Sequence, residues 1–211
     1  MERGSRQDGG SREGECNVMV KVVIVNGMPM SGKTTFEELC QKICDPFPKE
    51  SGFEDGSIHC VDICSTVDFV KIVAKQCGWD GTKDLKNRKF LSDLKDLLTE
   101  WDDVPFKKIR SRINLREKSF AAVDWIVFVD CREPAEIQKL KERLNAITVL
   151  IRREEVENNE TSNASDANVF DYNYDLTIYN NSDIIHLEDE ARKFIEYMKK
   201  EEVPHYEYNG L

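Results

Sequence analysis

The chain lacks any apolar run near the roughly 20 residues that a membrane-spanning helix requires, and its seven cysteines include no Cys-x-x-Cys pair. Cys16, Cys40, Cys44, Cys60, Cys64, Cys77 and Cys131 are odd in number and scattered in spacing. That pattern argues against a complete disulfide framework and against a zinc cage. The thiols are therefore expected to be free and mostly buried, as in a reducing cytoplasm. The first residues contain no apolar stretch of the kind a secretory signal needs, and they predict a polar, disordered tail over 1–17. A second tail is expected over 204–211. Positive charge is in deficit: 30 Lys and Arg against 40 Asp and Glu leave a formal net charge of -10. Affinity for duplex DNA rests on cations that neutralise phosphates, so a broad nucleic-acid surface is disfavoured, while a small basic cleft is still allowed. No internal repeat is present.

What is there suits one α/β domain. A chain of 211 residues can bury a good core but is short for two independent ones, and 40% hydrophobic with 33% charged residues is ordinary for a soluble protein. The Val- and Ile-rich run 18–25 predicts a buried strand ending at a turn, Asn26-Gly27. After Thr34, the residues Phe36, Leu39, Cys40 and Ile43 recur at helical spacing until Asp45-Pro46-Phe47-Pro48 stops them. A second strand is expected over 58–63. Ser65 or Thr66 is then expected to cap a helix carrying Val67, Val70, Val73 and Cys77, with Gly78 just beyond. A charged connection leads to a helix bearing Phe90, Leu91, Leu94, Leu97 and Leu98. Pro105 suits the first turn of another with Phe106, Ile109, Ile113 and Leu115. No strand separates these two helices, so they predict a helical excursion over about 79–120. Trp125-Ile126-Val127-Phe128-Val129-Asp130 is a buried strand, and Pro134 opens a helix with Ile137, Leu140 and Leu144. Strands over 147–151 and 176–179 follow, separated by a polar, Asn-rich lid over about 152–174. A last helix carries Leu187, Ala191, Phe194, Ile195 and Met198. With the glycine loop Gly27-Met28-Pro29-Met30-Ser31-Gly32-Lys33-Thr34 joining the first strand to the first helix, the prediction is a three-layer P-loop NTPase fold: a mainly parallel five-stranded sheet, a helical substrate-binding excursion and a lid loop, spanning 18–203.

The chemistry starts at Gly27-Met28-Pro29-Met30-Ser31-Gly32-Lys33-Thr34, with Thr35 next. Two glycines let the backbone wrap a phosphate and present its N–H groups. Lys33 would reach the β- and γ-phosphates of ATP, and Thr34 would bind Mg²⁺ through its hydroxyl. The helix that begins here adds the positive end of its dipole. Such a loop identifies a nucleoside triphosphate but not a reaction. No Asn-Lys-x-Asp sequence offers to read guanine, and the chain is small for a large ATPase. The excursion, the lid and the arginines bordering both favour a kinase, because phosphoryl transfer needs cations around charge-dense oxygens and a closure that expels water. Asp130, at a strand's carboxyl end, is a candidate Mg²⁺ ligand, with a helix-cap role as the plainer reading. Arg132 shares its rim. Arg153 is a candidate for closing on the transferring phosphoryl group, with Arg152 beside it on the substrate. Arg88 is placed to fork onto a substrate phosphate, and Asp62 to orient the acceptor group or take its proton.

Four further stretches bear on the family: Arg88-Lys89-Phe90-Leu91-Ser92-Asp93-Leu94; Asp130-Cys131-Arg132-Glu133-Pro134-Ala135-Glu136; Val149-Leu150-Ile151-Arg152-Arg153; and Tyr174-Asp175-Leu176-Thr177-Ile178-Tyr179-Asn180-Asn181. With the loop, they make the chain resemble the phage-type deoxynucleoside monophosphate kinases, among the adenylate kinase-like nucleotide kinases. The resemblance implies an ATP-dependent kinase acting on a phosphorylated small molecule, with Asp130 and Arg132 at the rim and Thr161-Ser162-Asn163-Ala164-Ser165-Asp166 in the lid. There the family pattern tends to read His-x-Ser/Thr-Glu, whereas this chain has Ser165-Asp166 and no histidine. Where the family loop often ends Gly-Lys-Asp, Lys33 is followed by Thr34. Gly78-Trp79-Asp80-Gly81 through Trp101-Asp102-Asp103-Val104-Pro105-Phe106 is also similar to bacterial and phage proteins, some of which look like kinases of hydroxymethyl-pyrimidines in DNA. That alternative predicts a basic strip near Lys83, Lys86, Arg88 and Lys89. A third reading is an ATP-binding regulatory module with little turnover. The expected partner is a small phosphate acceptor, in the cytoplasm and off the membrane.

Overall fold

In the computed structural model, residues 18–44, 59–82, 84–119, 123–157, 168–200 and 202–205 are described. The tails at 1–17 and 206–211, Lys83, and the lid stretch 161–166 lie outside them. Five strands form one sheet: β1 (Val20–Asn26), β2 (His59–Ser65), β3 (Asp124–Asp130), β4 (Ile147–Arg152) and β5 (Leu176–Tyr179). Their order is β2-β3-β1-β4-β5, and every pairing is parallel. The sheet is thus wholly parallel among the described residues, where the sequence suggested mainly so. β1 is buried at all seven positions, as a central parallel strand must be when helices cover both faces.

One face is covered by α1 (Lys33–Ile43) and by α7 (Ile184–Met198), the last of the seven α-helices among the described residues. Val23, Val25 and Ile126 pack there with a three-ring cluster in which Phe36, Phe128 and Phe194 have centroids 5.4–6.4 Å apart. A buried lysine ties this layer to the sheet. Lys21 Nζ donates to the carbonyls of Met198 and Lys200, both at 2.6 Å, placing a cation at the carboxyl end of α7 where its dipole is negative.

The opposite face carries α4 (Val104–Glu117) and α5 (Pro134–Leu144), which bury Phe106, Ile109, Ile113, Ile137, Leu140 and Leu144 against Val20, Val22, Ile24, Val127 and Val129. Outside them lie α2 (Asp68–Gln76) and α3 (Leu85–Asp102). α3 starts earlier than its leucines suggested, because the Asp84 side chain caps it by accepting from the Asn87 N–H at 2.7 Å. None of its residues is fully buried, and Leu97 and Trp101 are exposed at 62% and 75%, so its apolar face is only half used. Asp103, at φ 49°, turns the chain between α3 and α4 and pairs with Lys139 and Arg143 of α5 at 2.7 and 2.5 Å. The excursion is thereby pinned to the sheet's helical layer.

Ser65 and Thr66 do not cap α2. Its cap residue is Val67, with no side-chain bond, while Asp68 accepts from the Ser65 N–H at 2.8 Å. The Ser65 hydroxyl and the Thr66 N–H instead both reach the Asp130 carbonyl, at 3.4 and 3.2 Å. Those two groups fix the carboxyl ends of β2 and β3 together. The lid region includes a short helix, α6 (Glu154–Glu157), and a 3₁₀ turn, Asn168–Phe170.

Candidate active site

The chain leaves β1 at Asn26 and turns immediately. The Gly27 N–H donates to Asn26 Oδ1 at 2.8 Å, and a Cβ on Gly27 would overlap the Ile151 carbonyl and the Ser31 hydroxyl. Gly32 sits at φ 97°, where a Cβ would strike the Asn180 amide that donates to the Ser31 carbonyl at 3.0 Å. Both glycines are therefore required by close approach, as the motif implies. α1 then begins at Lys33 with Gly32 as its cap residue. No side chain accepts from its first N–H groups, and no acid occupies its first turn. An uncapped amino end that opens onto a glycine loop is an anion site. Lys33 Nζ crosses the loop and donates to the Gly27 and Met28 carbonyls at 2.6 and 2.9 Å. Thr34 and Thr35 are exposed at the mouth, as are Pro29 and Met30, whereas Met28 is buried against Leu150, Val156 and Val169.

Asp130 ends β3 directly beside β1, in register with Val25. Its Oδ1 is buried with no hydrogen-bond partner among the described residues. Burial lifts this carboxyl above its ordinary range, while the charges of Lys33 and Arg132 oppose the shift. The charges of Lys33 and Arg132 thus both act on Asp130. Arg132 is exposed, and its carbonyl accepts from Asn26 Nδ2 at 3.1 Å.

Glu37 was not anticipated. It lies one turn beyond Lys33 on α1, 1% exposed, and its Oε1 also has no hydrogen-bond partner. Burial pushes its carboxyl up, the Asp130 charge adds to that and Lys33 partly opposes it, to about 8. A signal existed in the sequence: Lys33, Glu37 and Cys40 fall on one inward helical stripe, and an acid there needs a reason.

These groups suit Mg²⁺. The described residues contain no cluster of three His, Cys, Asp or Glu side chains that would form a protein-only metal cage. They offer the Thr34 hydroxyl and buried carboxyl oxygens beside a phosphate cradle, which fits an ion that keeps several waters and relies on phosphate oxygens.

The remaining candidates are placed less simply. Asp62 is a correction: it does not end β2, which runs on to Ser65, and its carboxylate is not free. Arg112 holds it from Nε and Nη2 at 2.8 and 2.5 Å, and Arg116 Nε adds a third bond at 2.8 Å. Burial alone would raise this carboxyl, but the two guanidiniums outweigh it and hold it below the ordinary range. Alternation along the strand turns Asp62 toward α4, on the face opposite Phe128 and α1, so it serves the excursion rather than the rim.

Arg88 is exposed in the first turns of α3. Lys95 of the same helix pairs with Glu136 in the first turn of α5 at 2.5 Å. At 1.5 Å per residue, Arg88 lies roughly 10 Å along the helix from that anchor. Arg152 and Arg153 are both engaged within the lid: Arg152 forks onto Glu157 at 2.9 and 2.5 Å, and Arg153 pairs with Glu155. The Arg152 guanidinium also lies 5.2 Å from the Phe170 ring and 5.7 Å from the Tyr179 ring. Behind them, the Asn180 N–H donates to the Arg152 carbonyl at 2.7 Å, and Asn181 Oδ1 accepts from Glu154 N–H at 2.9 Å.

The strand order, the loop between the central strand and α1, and the acid on the adjacent strand define the class: a P-loop NTPase fold of α/β type. No family model matches the chain, and no curated protein matches it. Among solved structures, it is similar to a thymidylate kinase from Ehrlichia chaffeensis, at 16% identity over 84% of this chain and 99% of that one, with a TM-score of 0.44. It is also similar to an APS kinase of Mycobacterium tuberculosis, at 14% identity over 87% and 99%, with a TM-score of 0.39. The same kinase in complex with AMPPNP and APS matches at 13% identity over 87% and 99%, again with a TM-score of 0.39. These likenesses are ones of architecture, and the strand order and loop define the fold without them. No helix among the described residues is long and apolar enough to cross a membrane.

Proposed function

We propose that this chain is an ATP-dependent phosphotransferase that moves the γ-phosphoryl group of Mg²⁺·ATP to a small phosphorylated acceptor, a nucleoside monophosphate. One observation carries the reading. An uncapped helix amino end opens onto a glycine loop, with a lysine across it and a buried, partnerless carboxyl oxygen of Asp130 at its base. A cradle of N–H groups, a lysine spanning it and an unsatisfied acid have a common use in holding a charged triphosphate and its dication.

In this reading the backbone from Gly27 to Thr34 holds the phosphates, and Lys33 exchanges its loop carbonyls for phosphate oxygens. Thr34 and Asp130 hold the Mg²⁺, which supplies charge neutralisation at the phosphate oxygens. Arg132 and Arg153 face charge that builds on the transferring group, Arg153 after release from Glu155. Arg88 binds the acceptor's phosphate, and Arg152 stacks or pairs at the lid. The excursion offers the acceptor a wall beside the carboxyl ends of β2 and β3, where an open α/β sheet binds ligands. The phage-type branch of the nucleotide kinases belongs to this proposal as well.

The test is transfer from labelled ATP to a panel of nucleoside monophosphates. Labelled diphosphate products are expected for at least one base. A protein that binds an ATP analogue yet labels no nucleoside monophosphate would refute the assignment.

A further inference from the structure

Glu37 has no place in the loop motif, yet it is the most deeply buried acid near the loop. It follows Lys33 by four positions and Thr34 by three, which sets it on the same side of α1, one turn deeper. Its residue is 1% exposed and its Oε1 lacks a hydrogen-bond partner among the described residues, as does Asp130 Oδ1. Asp130 alternates with Phe128 on the face of β3 that α1 covers, beside the strand that leads into the loop, and its charge, like that of Lys33, acts on Glu37. An unsatisfied buried polar atom costs about 1–3 kcal/mol. A carboxylic acid kept only for packing would be expected to hydrogen-bond locally, and a hydrocarbon of the same size would fill the space at less cost. Two such oxygens bordering one region call for an occupant rich in donors.

We propose that Glu37 is a second acid of the metal site, holding with Asp130 the water shell of the divalent cation that enters with the triphosphate. The inference rests on the reading of the loop as a Mg²⁺·nucleotide site. Mg²⁺ dehydrates reluctantly and commonly keeps several waters, so an acid set one turn behind the Thr34 hydroxyl serves it through water. Glu37 is on this account a positioning residue. It orients the shell and touches neither the transferring phosphoryl group nor the acceptor. Outer-shell partners of this type typically change metal affinity 10- to 100-fold when removed.

Calorimetric titration of the full chain with AMPPNP, once in excess EDTA and once in excess Mg²⁺, separates this role from a structural one. Glu37→Gln is expected to keep its affinity in EDTA within about twofold of wild type and to lose about tenfold of the gain that Mg²⁺ confers. Mn²⁺ binding to the AMPPNP complex, read by electron paramagnetic resonance, should weaken by a similar factor. Glu37→Asp, which keeps the carboxyl group but withdraws it by one methylene, should recover part of the loss. An unchanged metal-dependent gain in Glu37→Gln, with Asp130→Asn losing it, would overturn the proposal. If Glu37→Gln shows no cooperative melt, Glu37→Asp decides alone, and wild-type metal dependence in that variant overturns it equally. A wild-type chain that binds no AMPPNP in either condition would overturn the nucleotide-site reading and this inference together. That result differs visibly from one in which AMPPNP binds and Glu37 is silent.

Discussion

Replacing Asp62 by Asn distinguishes a clamp from a catalytic base. Asp62 accepts three charge-assisted hydrogen bonds, two from Arg112 and one from Arg116, and its side chain is 7% exposed. Full burial would make each such bond worth about 1.5–3 kcal/mol. The two arginines are 41% and 35% exposed, so solvent screens much of that and compensates them when the charge is lost. An amide keeps one acceptor oxygen but turns N–H groups toward donors. Together these terms give a loss of about 2 kcal/mol, or about 4–8 °C in melting temperature for a chain of this size. The pH dependence has a definite sign. The folded pKa lies below the ordinary 3.8, so the ion pairs contribute fully above 3.8 and lose their contribution as pH falls through the folded value. Urea denaturation of both proteins should show a constant difference at neutral and mildly acidic pH that shrinks below 3.8. Turnover at neutral pH should fall less than about threefold, against the 10²–10⁴-fold expected for loss of a general base. Unchanged stability with collapsed turnover would refute the clamp and restore Asp62 to the acceptor.

Met30→Gly should stabilise the protein. Met30 sits at φ 63° and is 81% exposed, so glycine relieves a left-handed strain of about 1–2 kcal/mol and loses little packing. The extra freedom of the unfolded chain returns about 0.4–1 kcal/mol, leaving a net gain of about 0.5–1 kcal/mol readable by denaturant titration. Gly32→Ala should do the opposite: a methyl at φ 97° meets the Asn180 amide and breaks its bond to Ser31. The expected cost is about 2–3 kcal/mol, with nucleotide affinity falling at least tenfold, and an alanine variant binding AMPPNP as wild type would exclude the cradle. Arg88→Ala should leave ATP binding unchanged while raising the acceptor's KM about tenfold or more, since the residue lies on an exposed turn away from the loop.

Which features were legible in the sequence follows from which forces are local. The strands came from dense Val and Ile runs that only a two-faced sheet can bury, and the loop came from glycines whose need is set by backbone within a few residues. Both were placed nearly to the residue, since period and steric exclusion act locally. The site's second half depended on which side chains face one another across the sheet. Asp62 and Asp130 look alike in the sequence, each an acid late in an apolar strand. Yet β2 runs three residues past Asp62, and α4 brings two arginines onto it from a distance of 50 residues or more in the chain. No local pattern encodes that meeting. Glu37 is hidden for the reverse reason: helical periodicity is carried by the apolar positions Phe36, Leu39, Cys40 and Ile43, and it gives no weight to a charged residue between them. Ser65 and Thr66 have side chains suited to a helix cap, but the cap of α2 falls one residue later, at Val67, and the Ser65 hydroxyl is shared between the Val67 N–H and the Asp130 carbonyl at the end of β3.

The lid is also coupled to the loop more directly than their separation in the chain suggests. Asn26 Nδ2 donates to the Tyr174 hydroxyl at 2.7 Å, which in turn donates to the Val169 carbonyl at 2.8 Å. Met28 packs against Val156 of α6 and Val169 of the 3₁₀ turn, one residue on each side of the lid stretch 158–167. Asn180 and Asn181 then bind Ser31 of the loop and Glu154 of α6. The segments on either side of 158–167 are consequently tied to the glycine loop, and a shift of the loop would move them. Arg152 and Arg153 each hold a glutamate of α6, and each glutamate is at least partly exposed to solvent. Exchange of a carboxylate for phosphate oxygens would keep the two-pronged geometry at Arg152 and replace a single contact at Arg153. In the proposed kinase, each of these arginines changes partner when the triphosphate binds, with Glu155 and Glu157 holding them until the substrate arrives.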